Sequence, residues 1–118
     1  MTEVARTLES AVDDARALDA VRKTDIHNGD RVVVITRNSR YTIWALGNGL
    51  FWVWGGWFEL QRSSPAIVTI NGCTWGGSAI KGDIIAACGL RLEFGNTLLT
   101  TPIEQVRIIR ARAHVNPN

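Results

Sequence analysis

The sequence has few of the residues that build disulfide-linked or metal-held scaffolds. It contains two cysteines, Cys73 and Cys88, and two histidines, His27 and His114, spread over 118 residues. Two cysteines are too few for a disulfide scaffold, and no spacing is typical of a zinc site. We therefore expect free thiols, and we expect neither a metal nor a cofactor.

Long apolar runs and strong net charge are also lacking. No apolar run approaches the ~20 residues of a membrane helix, and the polar start at Met1 has no apolar segment typical of a secretion signal. The 13 basic and 11 acidic residues give a net charge of +2, which by itself does not indicate nucleic acid. The sequence predicts a cytoplasmic single domain, without a membrane segment, that is long enough to bury a core.

Aromatic residues, in contrast, are concentrated between positions 41 and 58, which hold four of the five tryptophans. Two runs rich in β-branched and aromatic residues flank Gly47-Asn48-Gly49, the composition of two strands around a tight turn. In the resulting hairpin Trp44 lies opposite Trp52. The same register pairs Leu46 with Leu50 and Thr42 with Trp54.

Both faces of this hairpin are predicted to be largely apolar, which is unusual for an antiparallel sheet with one face in water. One face can fill the core of the domain. The other requires a cover: the N-terminal segment, a second subunit or a ligand. The candidate interface or ligand residues are Trp44, Trp52, Trp54, Trp57 and Trp75.

The first 25 residues form the predicted N-terminal region. Val4, Leu8, Val12 and Ala15 recur at helical spacing, and alanine is frequent, so this region is predicted to be an amphipathic helix reaching about Lys23. Residues 1–25 carry six acids and four bases, a net charge of −2, whereas the remainder carries +4. An isolated helix of this length is marginal in water, so it requires a surface, either its own barrel or another subunit.

Residues 26–115 read as a small antiparallel β-barrel or sandwich, followed by a tail, 116–118, expected to be disordered. The predicted strands include 31–37, 57–60 beyond a bend at Gly55-Gly56, 66–70, 90–94, 97–101 and 103–113. Leu92 is expected opposite Leu99, and the last strand is expected to bulge near residues 108–109. Cys73 is predicted to lie in an exposed loop, and Cys88 in the core.

Three segments, TINGCTWGGS, ACGLRLEFGN and TTPIEQVRI, together resemble a set of short bacterial proteins of unknown function. The resemblance covers about Arg37 to Ile109 and leaves out most of the predicted helix. It implies a self-contained β domain and brings no activity, cofactor or partner with it.

Catalytic chemistry has little support in the sequence. A nucleophilic Cys73 requires a base, and nothing places a histidine beside it. Asp30 and Asp83 are typical of turn-capping aspartates, and no paired carboxylates favour acid–base hydrolysis. We therefore assign no catalytic residues; an enzyme would require a pocket that joins Cys73, Asp83 or a histidine.

Arginines near the C-terminus form a predicted basic end, and its members are Arg107, Arg110 and Arg112. Arginine beside stacked aromatic rings can hold single-stranded nucleic acid, but charges at strand edges also keep sheets soluble. The favoured function is a non-enzymatic domain that self-associates, as a dimer in the first instance, through the tryptophan hairpin or the helix. The alternative is a module that binds single-stranded nucleic acid or a small ligand through tryptophan and arginine.

Overall fold

The computed structural model describes residues 17–75 and 79–111, which form mainly antiparallel strands. A 3₁₀ turn, Lys23–Asp25, follows the second strand, and one short helix, α1 (Gly56–Leu60), follows the fifth. The strands are β1 (Ala17–Leu18), β2 (Ala20–Arg22), β3 (Arg31–Thr36), β4 (Arg40–Gly47), β5 (Leu50–Gly55), β6 (Ala66–Val68), β7 (Ile70–Thr74), β8 (Ile84–Ala87), β9 (Arg91–Phe94) and β10 (Ile103–Ile109).

The strands form three sheets rather than a closed barrel in the part of the chain described. A six-stranded sheet has the order β1-β10-β3-β4-β5-β6, and two further sheets pair β2 with β8 and β7 with β9. The core lies between the inner face of the large sheet and the two small sheets. Its members include Val32, Val34, Ile43 and Val53 on one side and Ile85, Leu92 and Phe94 on the other.

The sequence pattern explains the two best-predicted strands outside the hairpin. β3 contains consecutive β-branched residues, and Val32, Val33 and Val34 are all buried, as expected of a strand covered on both faces. β9 alternates, with Leu92 and Phe94 buried and the intervening charged residues only partly so.

The central hairpin has the predicted register at its tryptophans. Trp44 lies opposite Trp52, and Thr42 lies opposite Trp54. Near the turn a bulge places Leu50 opposite Gly47 rather than Leu46. The inner face of the hairpin is buried as predicted, through Tyr41, Ile43, Ala45, Phe51 and Val53.

The prediction that residues 57–60 continue the strand is wrong, because α1 occupies them. Gly55 and Gly56 have φ angles of 92° and 52°, so the chain leaves the sheet here instead of bending within it. The helix buries Phe58 against the rings of Tyr41 and Phe94.

The prediction that the N-terminal helix reaches about Lys23 is also wrong. Residues 17–22 form β1 and β2, which pair with β10 and β8, so strand pairing begins before residue 26. The rest of the predicted helix, residues 1–16, and the tail at 116–118 lie outside the described residues.

Strand boundaries differ from prediction in the C-terminal half. β6 ends at Val68, and β7 starts at Ile70, within what was predicted as strand and loop. Residues 97–101 do not form a strand; a single bridge joins Leu99 to Glu93 rather than to Leu92. β10 ends at Ile109, with its irregularity between Ile103 and Gln105 rather than near residues 108–109.

Candidate functional site

The outer face of the large sheet carries the most distinctive surface in the described structure. Trp44, Trp52 and Trp54 project from β4 and β5, and Ile67 of β6 lies opposite Trp52. Trp44 is 36% exposed, Trp52 37% and Ile67 56%, whereas their inward-facing neighbours are buried. We call these four residues the outer tryptophan face.

The three indole rings form one cluster. The Trp44 and Trp54 ring centroids are 6.0 Å apart with the planes tilted by 39°, and Trp52 meets Trp54 edge to face at 5.7 Å. Such ring pairs stabilise each other beyond simple burial. The cluster is therefore a preformed apolar surface whose rings are held by their neighbours.

Arg31 extends this surface onto β3. It lies opposite Trp44, and its guanidinium carbon is 5.3 Å from the centroid of the Trp44 ring, a cation–π arrangement. The Arg31 Nε atom is buried and has no hydrogen-bond partner among the residues that the structure describes. A buried donor without an acceptor is costly, so an acceptor supplied from outside would be favoured here.

Two cavities flank the indole of Trp54 and together form a groove. One, of about 290 Å³, is lined by Arg31, Thr42, Trp44 and Trp54. The other, of about 390 Å³, shares Thr42 and Trp54 and adds Arg40, Gly55, Glu59 and Ser64. The groove thus has an arginine at each end of an aromatic floor, with one carboxylate, Glu59, at the Arg40 end.

The other two candidate tryptophans are not part of this cluster. Trp57 belongs to α1, where its ring packs edge to face on Phe58 at 5.4 Å. Trp75 follows β7 and is 65% exposed, with the Lys81 ammonium 5.1 Å from its ring centroid. Of the five predicted residues, three form the candidate site.

Two arginines of the predicted basic end, Arg107 and Arg110, lie in the part of the chain described. Arg107 lies on β10 opposite Val33, whereas Arg110 lies beyond the end of that strand. The Arg110 guanidinium donates to the Asp30 carboxylate at 2.8 Å and to the Asp25 carbonyl at 2.6 Å, so its role is structural. Arg112 lies outside the described residues.

Asp30 is a buried carboxylate that fixes the end of β10. Besides Arg110, the backbone amides of His27 and Ala111 donate to it at 2.9 and 2.7 Å. Burial alone would raise the pKa of Asp30. The hydrogen bonds and the charge of Arg110 lower the pKa by more than burial raises it, so the pKa of Asp30 lies below its usual value. The prediction of a turn-capping aspartate is confirmed through the His27 amide.

The predicted cysteine environments are reversed. Cys73 is buried in β7, where its thiol donates to the Ile85 carbonyl at 3.4 Å, and burial raises the pKa of the Cys73 thiol to about 11. A thiol that stays protonated at neutral pH is a poor nucleophile. Cys88, predicted to lie in the core, is exposed.

Arg31 and Ile67 are the site residues that the sequence analysis did not place beside the tryptophans. A usable signal was present, because pairing the predicted strand at 31–37 with the hairpin brings Arg31 opposite Trp44. The length of the turn between β3 and β4 fixes that register.

No group of three or more histidine, cysteine or acidic side chains is placed to hold a metal ion in residues 17–75 and 79–111. Within the same residues, no helix is both long and apolar enough to cross a membrane. The resemblance to short bacterial proteins stays a prediction. No family model, curated protein or solved structure matches the chain.

Proposed function

We propose that this chain is a non-enzymatic binding domain that self-associates through the outer tryptophan face. The observation that supports this proposal is that three clustered indoles and Ile67 remain partly exposed on a sheet whose inner face already fills the core. Large apolar side chains side by side on one surface are typical of an interface. We expect a cytoplasmic location, where both cysteines stay reduced.

A second copy of the chain fits this surface by size. Trp44, Trp52 and Ile67 each leave very roughly 90 Å² accessible, so covering them contributes about 2 kcal/mol per side chain. Two copies together contribute about 12 kcal/mol, against the estimated 4–15 kcal/mol that association costs. A dissociation constant in the micromolar range, about −8 kcal/mol, corresponds to a cost at the low end of that range.

Replacing Trp52 by glutamate tests this proposal. Sedimentation equilibrium between 1 and 100 µM should give a concentration-dependent dimer for the parent chain. Trp52→Glu should raise the dissociation constant at least 100-fold, because it removes apolar area and places a charge in the contact of both copies. Trp75→Glu is the matched control, since Trp75 is more exposed but lies outside the cluster, and it should leave the constant unchanged. A clean monomer at 100 µM would contradict the proposal.

A second candidate function, binding of single-stranded nucleic acid or a small ligand, is favoured by the groove over Trp54. Arginines at its two ends and indoles on its floor match the way in which aromatic stacking and phosphate pairing are combined. The Arg31 guanidinium, which lines one of the two cavities, offers donors to a phosphate or carboxylate. Glu59 weakens this case, because it repels anions at one end.

Tryptophan fluorescence titrated with a single-stranded oligonucleotide tests this second function. If it holds, Arg31→Gln should weaken the interaction about tenfold and reduce its salt dependence, because one phosphate contact is lost. Arg91→Gln, which removes the same charge from β9 in a small sheet, serves as the control. The absence of any salt-sensitive fluorescence change with the parent protein would exclude the nucleic-acid form of this function.

A further inference from the structure

A third cavity, separate from the groove over Trp54, opens at the turn end of the central hairpin. Its volume is about 230 Å³. It lies between residues 45–51 of the hairpin and residues 23–28, which lead from β2 into β3. Its lining shares no described residue with the outer tryptophan face, so a ligand here would not depend on self-association.

One part of the lining of this cavity is apolar. Ala45 and Phe51 reach it from the inner face of the hairpin and are themselves buried. Ile26 is half-buried in the same lining, and Leu50 is 40% exposed although it borders the same space. Apolar side chains around an unfilled space lack contacts that an apolar occupant would supply. Hydrocarbon is therefore the favoured body for a ligand.

The bulge in the hairpin leaves this space open. It places Leu50 opposite Gly47, which has no side chain to cover it. Among the described residues, a Cβ atom at Gly47 would have just the Asn28 side chain within 4 Å, at 3.9 Å. The cavity thus results from the backbone geometry of the turn and is present without a ligand.

The polar part of the lining carries a positive charge. Lys23 lines the cavity, and its ammonium donates to the Ile70 carbonyl at 2.8 Å, which holds the side chain in place. An ammonium has three N–H donors, so in the described structure two remain for a ligand. The described lining contains His27 and no acidic side chain. Asp30, 3.7 Å from the His27 ring, is paired with Arg110. An anionic group is therefore favoured beside Lys23.

We propose that this cavity binds a short aliphatic carboxylate, with the carboxylate at Lys23 and the hydrocarbon against Ile26, Ala45, Leu50 and Phe51. The volume of about 230 Å³ equals roughly eight times the ~30 Å³ that a water molecule occupies in the liquid, so the ligand has about eight non-hydrogen atoms. 4-Methylpentanoate, with six carbons and two oxygens, matches this size. Phosphate fits less well, because one ammonium in a partly apolar lining leaves most of its oxygens without donors.

Backbone amide shifts in ¹H–¹⁵N correlation spectra of the full chain at pH 7 test the proposal. Titration with 4-methylpentanoate should shift the amides of residues 26–28 and 47–51, with a dissociation constant on the order of 1 mM. The indole N–H signals of the outer tryptophan face should not shift. 4-Methylpentanamide, which has the same size but no charge, should bind at least tenfold more weakly, and so should inorganic phosphate.

Two variants separate the charge from the apolar contacts. Lys23→Met removes the ammonium and keeps an unbranched side chain. It should weaken binding of 4-methylpentanoate at least tenfold and leave the smaller response to 4-methylpentanamide unchanged. Asn48→Asp places a carboxylate in the lining and should weaken binding of 4-methylpentanoate at least threefold by repulsion. Asn96→Asp makes the same change in the turn after β9, outside the cavity, and should have no effect.

Several outcomes would overturn the proposal. The absence of shifts up to about 20 mM 4-methylpentanoate would do so, as would shifts confined to the indole signals, which would place the ligand on the outer tryptophan face. Equal binding of the acid and the amide, or an undiminished affinity of Lys23→Met, would mean that apolar contact alone holds the ligand. If Lys23→Met does not fold, the other variants decide: equal affinity of Asn48→Asp and Asn96→Asp for 4-methylpentanoate would refute the site.

Discussion

Gly55→Ala should destabilise the protein by about 4 kcal/mol or more. Gly55 has φ 92° and ψ −173°, a region open essentially to glycine alone. A Cβ atom there would also overlap the backbone carbonyl oxygen of Arg40 on the neighbouring strand. Backbone cannot move aside as a flexible side chain can, so β4 and β5 would have to separate beside the outer tryptophan face.

Gly49→Ala provides the matched control for this prediction. Gly49 also has a positive φ, 77°, but a Cβ atom there would have no other atom within 4 Å. Only the conformational penalty remains, about 1–2 kcal/mol. Urea unfolding at pH 7, followed by tryptophan fluorescence, compares the two variants. If Gly55→Ala lost no more stability than Gly49→Ala, the close approach of Gly55 to Arg40 would be refuted.

Asp30→Asn should cost about 3 kcal/mol at pH 7. The carboxylate accepts from two backbone amides and from Arg110, and its side chain is 3% exposed. Asparagine has the same shape as aspartate but carries no charge. Its NH₂ group replaces one of the two carboxylate oxygens and cannot accept the hydrogen bond that this oxygen accepted. The Arg110 guanidinium would lose its ionic partner, and the chain beyond β10 would lose its anchor to the turn at His27.

The pH dependence gives this prediction a specific signature. The folded pKa of Asp30 is lowered, so its contribution is complete above the unfolded pKa of about 3.9 and is lost as pH falls through the folded value. The stability difference between parent and Asp30→Asn should be constant from pH 5 to 8 and shrink below about pH 4. Asp25→Asn removes an exposed carboxylate that, within residues 17–75 and 79–111, accepts from the Arg22 amide alone, and it should cost less than about 1 kcal/mol. A difference that persisted undiminished at pH 2 would contradict the assigned role.

The local sequence pattern was sufficient to predict the strands and their pairing where neighbouring strands are joined by tight turns. The hairpin register at Trp44 and Trp52 follows from the turn at Gly47–Gly49, and β3 follows from its consecutive β-branched residues. In both, the sequence separation between partners is short, so turn chemistry and side-chain alternation determine the pairing.

The local sequence pattern did not predict the structure of segments that pair with strands far away in the sequence. Residues 17–22 have a helical periodicity and frequent alanine, but β1 pairs with β10 and β2 with β8, some 65 to 90 residues away. Hydrogen bonds to those strands outweigh a propensity difference of a few tenths of a kcal/mol per residue. The burial of Cys73 has the same origin, since β7 is enclosed by β9 and by a bridge to Lys81.

The candidate site was predictable in part for the same reason. Trp44, Trp52 and Trp54 lie within one hairpin, so alternation alone places them on a single face. Trp57 was predicted to belong to the same site because the strand was predicted to continue beyond a bend at Gly55-Gly56. The chain instead leaves the sheet at Gly55. The actual position of Trp57 depends on the φ angles of the two glycines, which composition does not specify.

The two outermost strands of the large sheet are its shortest, with two residues in β1 and three in β6. Strands this short present few backbone N–H and C=O groups to which a strand of another molecule could bond. Growth of the sheet from molecule to molecule is therefore unfavourable. Copies that meet face to face, in contrast, use up the surface that joins them. The self-association that we propose should therefore stop at a closed pair rather than extend into a fibre.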